Sequence, residues 1–214
     1  HKYGVFEIGM SNAGEIRNLS KLVKPDIAII TNIGEAHAEN FDNLNGIVKA
    51  KSEIIENINK DGYLILNRDD KYFNYLSKLA EKKKIKILSF GKSNKSNAKL
   101  VKNKSYKNYN DLYFKVLNEN IHLRVKNVNS LIISNILFTL LTLHVLDLDL
   151  KKIINFSNYF QLVEGRGKEH IISRYKKKFK LIDESYNANP SSVKNAIINF
   201  SKIKRKHEKK FLLL

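Results

Sequence analysis

Three side chains early in the chain are candidates for chemistry: Glu7, His37 and Lys51. Glu7 closes the apolar run YGVFEI just before Gly9, and a carboxylate beside glycine at a strand's carboxyl end is well placed to hold a cation. His37 shares a Gly-containing loop with Glu39, after a second apolar run, IAII. Lys49 and Lys51 follow on a helix-like segment. Taken singly, each has a plainer reading: a capping or salt-bridged Glu, a hydrogen-bonded surface His, one more solvated Lys. They become a set only if the topology brings two strand ends and one helix start together. The carboxyl edge of an open α/β sheet does this, and active sites gather there.

The elements expected around them alternate. Residues 3–8 read as a buried parallel strand, 12–23 as a helix stopped by Pro25, and 26–31 as a second strand. Asn43 caps a helix over 44–58, whose Ile47, Ile54, Ile55 and Ile58 recur at helical spacing. Asp61-Gly62 turns the chain into a strand over 63–66; NRDD, a helix over 72–83 and a strand over 85–90 follow. That order, βαβαβαβ, is the pattern of an α/β fold with a mostly parallel sheet flanked by helices. Residues 112–116 and 121–125 alternate as a hairpin around Asn118-Glu119-Asn120. A helix over 130–145 and a shorter one over 150–159 come next. After Glu164, the GRG turn marks a domain boundary, with strands over 171–175 and 179–182, the polar loop DESYNANP and a helix from Ser191 to about residue 204 that starts beside Pro190. The closing KKFLLL reads as the beginning of a strand.

Composition narrows the class. Hydrophobic content of 43% with 28% charged residues describes a globular protein able to bury a core. Without cysteine there is no disulfide and no thiolate metal site, which fits a reducing, cytoplasmic setting. The longest apolar stretch, 131–146, contains Asn135, Thr139, Thr142 and His144 and reads as a core helix, so no membrane insertion is expected. The net charge of +18 comes mostly from lysine, beside abundant Asn and Ile. That mixture reads as compositional drift that spreads lysines over solvated faces. No aromatic-plus-basic platform stands out, so no nucleic-acid partner is expected, and an anionic small-molecule substrate suits the charge equally.

In order along the chain, EIGMSNAGEI, PDIAIITNIGEAHAENF, GIVKAKSEI, LNRDD and LIDESYNANPSSVKNAI resemble the Mur ligase family. Within it they are most similar to the branch that adds D-alanyl-D-alanine to UDP-N-acetylmuramoyl-tripeptide. The resemblance implies an ATP-dependent amide ligase that works through an acyl phosphate. ATP and Mg²⁺ are its cofactors, the UDP-linked tripeptide and the dipeptide its substrates, and a monomer its expected state. It places Mg²⁺ ligands at Glu7 and His37 and a carbamylated lysine at Lys51, three residues that would be catalytic. It places nucleotide contacts at Asn135 in SNIL, at Arg166 in GRG and at Glu184, where the family usually carries Asp. It divides the chain into a central ATP-binding domain over 1–163 and the start of a Rossmann-like C-terminal domain over 164–214.

The family's GKT-type phosphate loop should precede Glu7 and is missing from this chain. Gly91-Lys92-Ser93 is the nearest look-alike and reads as an ordinary loop. The expectation is therefore a fragment, truncated at both ends and inactive by itself. A related ligase with another amino-acid or polyglutamate substrate, and a non-catalytic basic module that binds nucleic acid, are the alternatives.

Overall fold

Short apolar runs alternating with amphipathic segments build a six-stranded sheet in the computed structural model of the chain. Residues 1–34, 40, 41, 43–126, 128–150, 152, 164–186, 188, 190–203 and 209–213 are described. They divide into two compact units, residues 1–161 and 162–214, each taken by itself below. In the first unit the strands are β1 (Ile27–Ile30), β2 (Tyr63–Asn67), β3 (Lys86–Phe90), β4 (Ala98–Ser105), β5 (Asn110–Val116) and β6 (Glu119–Val125). They lie side by side in chain order. The pairings from β1 through β4 are parallel, and those of β4 with β5 and β5 with β6 are antiparallel. The sheet is thus mixed and mostly parallel, as expected.

The helices are α1 (Glu15–Val23), α2 (Leu44–Ser52), α3 (Phe73–Lys82) and α4 (Ser130–Val145). Asn43 starts α2 by accepting the Asn45 and Gly46 amides, and Asn129 starts α4 by accepting the Ile132 amide; each satisfies N–H groups that a helix start leaves unpaired. The expected single helix over 44–58 tightens after Ser52 into a 3₁₀ turn, Glu53–Asn57.

Strand alternation sends side chains to two cores. On one face Ala28, Ile30, Leu64 and Leu66 pack with Ile16 of α1, Ile47 and Val48 of α2, and Leu76 and Ala80 of α3. On the other, Ile65, Phe90, Ala98, Leu112, Phe114, Ile121 and Leu123 pack with Ile136, Leu137, Leu140 and Leu141 of α4. The opposite face of β5 and β6 carries Asp111, Tyr113, Lys115, His122 and Arg124 instead. There the Tyr113 and His122 rings stack 4.6 Å apart, and the Arg124 guanidinium lies 4.0 Å from the Tyr109 ring.

The structure departs from expectation at other places in this unit. Residues 3–8 take no regular secondary structure, and Val5 and Phe6 are 98% and 66% exposed. A strand needs a ladder of partners as well as an apolar pattern, and among the described residues no strand runs beside this segment. Ile8 and Met10, packed on the first core, are what tie it down. Strand β4 was not expected, because only Ala98 and Leu100 of AKLVKNKS join a core and a bulge at 100–102 breaks the alternation. The hairpin turn is also shorter than read: Val116 pairs with Glu119 across Leu117-Asn118.

In the second unit β7 (Lys168–Arg174) and β8 (Lys177–Asp183) form an antiparallel pair, and α5 (Pro190–Lys202) follows. Residues 209–213 take no regular structure where a strand was expected. The expected helix over 150–159 lies almost wholly outside the described residues.

Candidate active site

The carboxyl ends of β1 and β2 bring together Asn32, Lys51 and Asp70. Lys51 stands in the last turn of α2, half-buried, and its Nζ donates to the Asn32 carbonyl at 2.9 Å. Burial pulls its ammonium below the ordinary lysine range, and the charge of Asp70 opposes that shift. Asp70 accepts the Ile33 amide at 2.8 Å and the Tyr72 amide at 2.9 Å, so both of its oxygens are engaged. A lysine whose charged form is disfavoured is easier to hold as a neutral amine, the form that reacts with electrophiles.

A second carboxylate fixes the glycine-rich segment ahead of α1. Glu53, only 6% exposed, accepts the Gly14 amide at 2.8 Å and the Arg17 amide at 3.0 Å. Gly14 adopts φ 89°, a left-handed conformation that suits glycine. Arg17 reaches back to Glu56 with two hydrogen bonds, 2.8 and 3.1 Å, and Asn57 donates to the Arg17 carbonyl and to Ser20. KAKSEIIEN and GEIRN are therefore one cross-braced unit. Its purpose is legible: the turn carrying Lys51 cannot shift without α1.

The loop Gly91-Lys92-Ser93 directs its amides inward, as phosphate-binding loops do. Here they meet Asp69, which accepts from Lys92 at 2.7 Å and from Ser93 at 3.2 Å. A Cβ on Gly91 would lie 2.8 Å from that carboxylate, and Gly91 adopts φ 149°. The reading of this stretch as an ordinary loop holds, and its physical content is a carboxylate latch.

The remaining expected residues are less closely gathered. Glu7 is exposed on the irregular N-terminal segment, and Asn135 is exposed in the second turn of α4. His37 lies outside the described residues. Among the described residues no group of three His, Asp or Glu side chains forms a preassembled metal cage. In the second unit the Arg166 guanidinium lies 4.3 Å from the Tyr186 ring. Asp183 accepts the Gly165 and Ser185 amides, and those bonds, with the Ser185 hydroxyl first, hold its carboxyl below the usual range. Glu184 lies at the surface, yet partial shielding and then the Asp183 charge push its carboxyl up. Asp183 is thus the residue that joins the GRG turn to DESY, and Arg166 and Glu184 hang from that junction.

Glu53, Asp69, Asp70 and Asp183 were not singled out by sequence reasoning. A carboxylate pair just after a strand and just before a helix, as in LNRDD, was the available signal for two of them.

Residues 1–143 match the family pattern described as the Mur ligase middle domain. The chain belongs to the Mur ligase family. It is 34% identical over 197 residues to the UDP-N-acetylmuramoyl-tripeptide--D-alanyl-D-alanine ligase of Rickettsia prowazekii (strain Madrid E), covering 92% of this chain and 43% of that protein. Crystal structure I of MurF from Acinetobacter baumannii superposes with a TM-score of 0.82 at 27% identity, covering 95% of this chain and 43% of that one. The MurF ligase from Thermotoga maritima in complex with ADP shares the fold, with a TM-score of 0.78 at 24% identity over 94% of this chain and 44% of its own. The chain spans less than half the length of these relatives. Among the described residues no helix is long and apolar enough to cross a membrane.

Proposed function

We propose that this Mur ligase chain is part of an ATP-dependent amide ligase that adds D-alanyl-D-alanine to UDP-N-acetylmuramoyl-tripeptide. Residues 1–163 supply part of its ATP-binding domain, and residues 164–214 begin its C-terminal domain. The likeness to ligases of that printed name supports the substrate pair. The observation that carries the reading is Lys51: a half-buried lysine, drawn toward its neutral form, at the carboxyl end of a parallel sheet. As a neutral amine it can add CO₂, forming one N–C bond and releasing one proton, and the product is a carbamate with hard oxygen donors. That donor chemistry fits Mg²⁺, which Lys51 would hold together with Glu7 and His37. When bound, the cation offsets charge on the phosphate oxygens of ATP. The chain's own part is positioning: α2 and the Glu53 brace hold Lys51, while Asp70 holds the end of β1. Asn135, Arg166 and Glu184 are the proposed nucleotide contacts.

The test is ADP release by the full-length enzyme, which should require both the UDP-linked tripeptide and the dipeptide. ATP turnover indifferent to the dipeptide would point to a ligase with another substrate. The Lys51→Ala variant should lose roughly 100-fold or more in rate, with partial recovery on adding short carboxylates.

A further inference from the structure

Lys51 and Asp70 take hold of the same peptide group. The Asn32 carbonyl, which accepts from Lys51, and the Ile33 amide, which donates to Asp70, belong to the single planar unit linking those residues. In a trans peptide the C=O and N–H point in opposite directions, so cation and anion grip it from opposite sides. An N–H bonded to a carboxylate makes its own carbonyl a stronger acceptor, because hydrogen bonds in a chain polarise one another. The peptide stands two residues beyond the end of β1. Asp70 is itself immobilised, because its other oxygen accepts the Tyr72 amide and its carbonyl accepts the Phe73 amide at the start of α3.

We propose that Asp70 is a positioning residue for the ligase reaction, acting through the Asn32–Ile33 peptide to orient Lys51. This rests on the reading of Lys51 given above and adds a residue to it. A carbamylated lysine nitrogen keeps one N–H, which suffices for the bond to Asn32. The peptide that holds the amine therefore also orients the adduct. Asp70 makes its contribution without touching nucleotide or substrate.

The experiment uses the full-length enzyme with Asp70→Asn and Asp70→Ala. Asn leaves one acceptor oxygen for two amides and removes the charge; Ala removes everything. The expected result is a fall in kcat of about 10-fold for Asn and about 100-fold for Ala, with KM for ATP and for both substrates unchanged. The Asp70 charge favours the ammonium of Lys51, so losing it should leave the bicarbonate concentration for half-maximal activity no higher, and the fall in kcat reads the orientation of the adduct rather than its formation. A second readout, independent of turnover, is the carbamate resonance of enzyme equilibrated with ¹³C-bicarbonate, which should persist in the same variant. Unchanged kcat in a folded Asp70→Asn protein, or a fall in kcat matched by loss of the carbamate signal, would overturn the inference. Should Asp70→Ala not fold, Asp70→Asn decides alone. Carboxylate rescue of Lys51→Ala separates the two readings: without rescue, the role of Lys51 fails first. With rescue but a silent Asp70→Asn, only the positioning role falls.

Discussion

The two halves of the sheet are finished differently. From β1 to β3 both faces are covered, by α1, α2 and α3 on one side and α4 on the other. Among the described residues, only the α4 side is covered across β5 and β6, and the other face is left to Tyr113, Lys115, His122 and Arg124. The covered half has apolar runs with little alternation, as fully buried parallel strands do. The half-bare part alternates strictly, and its one deeply placed charge, Asp111 at 5% exposure, is met by two Arg124 hydrogen bonds of 2.8 and 3.0 Å. In the first half, carboxylates reach across tens of residues to hold backbone amides beside the site. In the second they pair with side chains, Asp111 with Arg124 on the neighbouring strand and Glu119 with His144 of α4. The candidate site lies where the backbone is pinned, and the antiparallel extension packs its apolar face against α4.

This contrast can be tested at several strengths. The largest effect belongs to what the halves share: Leu140→Ala, on the α4 face beneath both, should cost about 2–5 kcal/mol in urea denaturation. A change well below that range would mean that α4 does not unite them. Glu53→Ala acts on the pinned half alone by stranding the Gly14 and Arg17 amides, and about 1–3 kcal/mol is expected, with faster amide exchange confined to α1. Asp111→Asn acts on the extension through pH. Arg124 foremost holds the Asp111 carboxyl below its ordinary range, so its contribution is present above the unfolded value near pH 4 and is lost as pH falls through the lower folded value. Thermal melts of the parent should therefore drop more steeply in acid than those of Asp111→Asn. The smallest effect is at the register pair Lys99 and Lys115. Lys99→Glu should gain roughly 0.2–0.5 kcal/mol at low salt, and the gain should vanish at about 1 M salt.

The sequence displayed whatever the buried half made periodic. IAII and YLIL named their strands, and the apolar run over 131–146 led to a helix whose bounds match α4. Residues 3–8 show the limit of that signal, because hydrophobicity states what a segment will bury while pairing depends on what lies beside it. Strand β4 shows the converse, being paired on both edges while its composition is that of a solvated loop. For the site, Lys51 was visible as a motif residue, while the reason for its shifted chemistry was not. Its partners are an Asn32 backbone carbonyl and an Asp70 whose amide partner is 37 residues earlier. Glu53 hid in the same way, since its partners lie 36 and 39 residues upstream.

The latch at Gly91 has a kinetic meaning as well as a structural one. Any free phosphate approaching the Lys92 and Ser93 amides must displace a carboxylate that cannot diffuse away. Even a flexible tether gives such a competitor an effective concentration on the order of millimolar, and Asp69 is held far more tightly than that. The loop is thereby closed to stray anions.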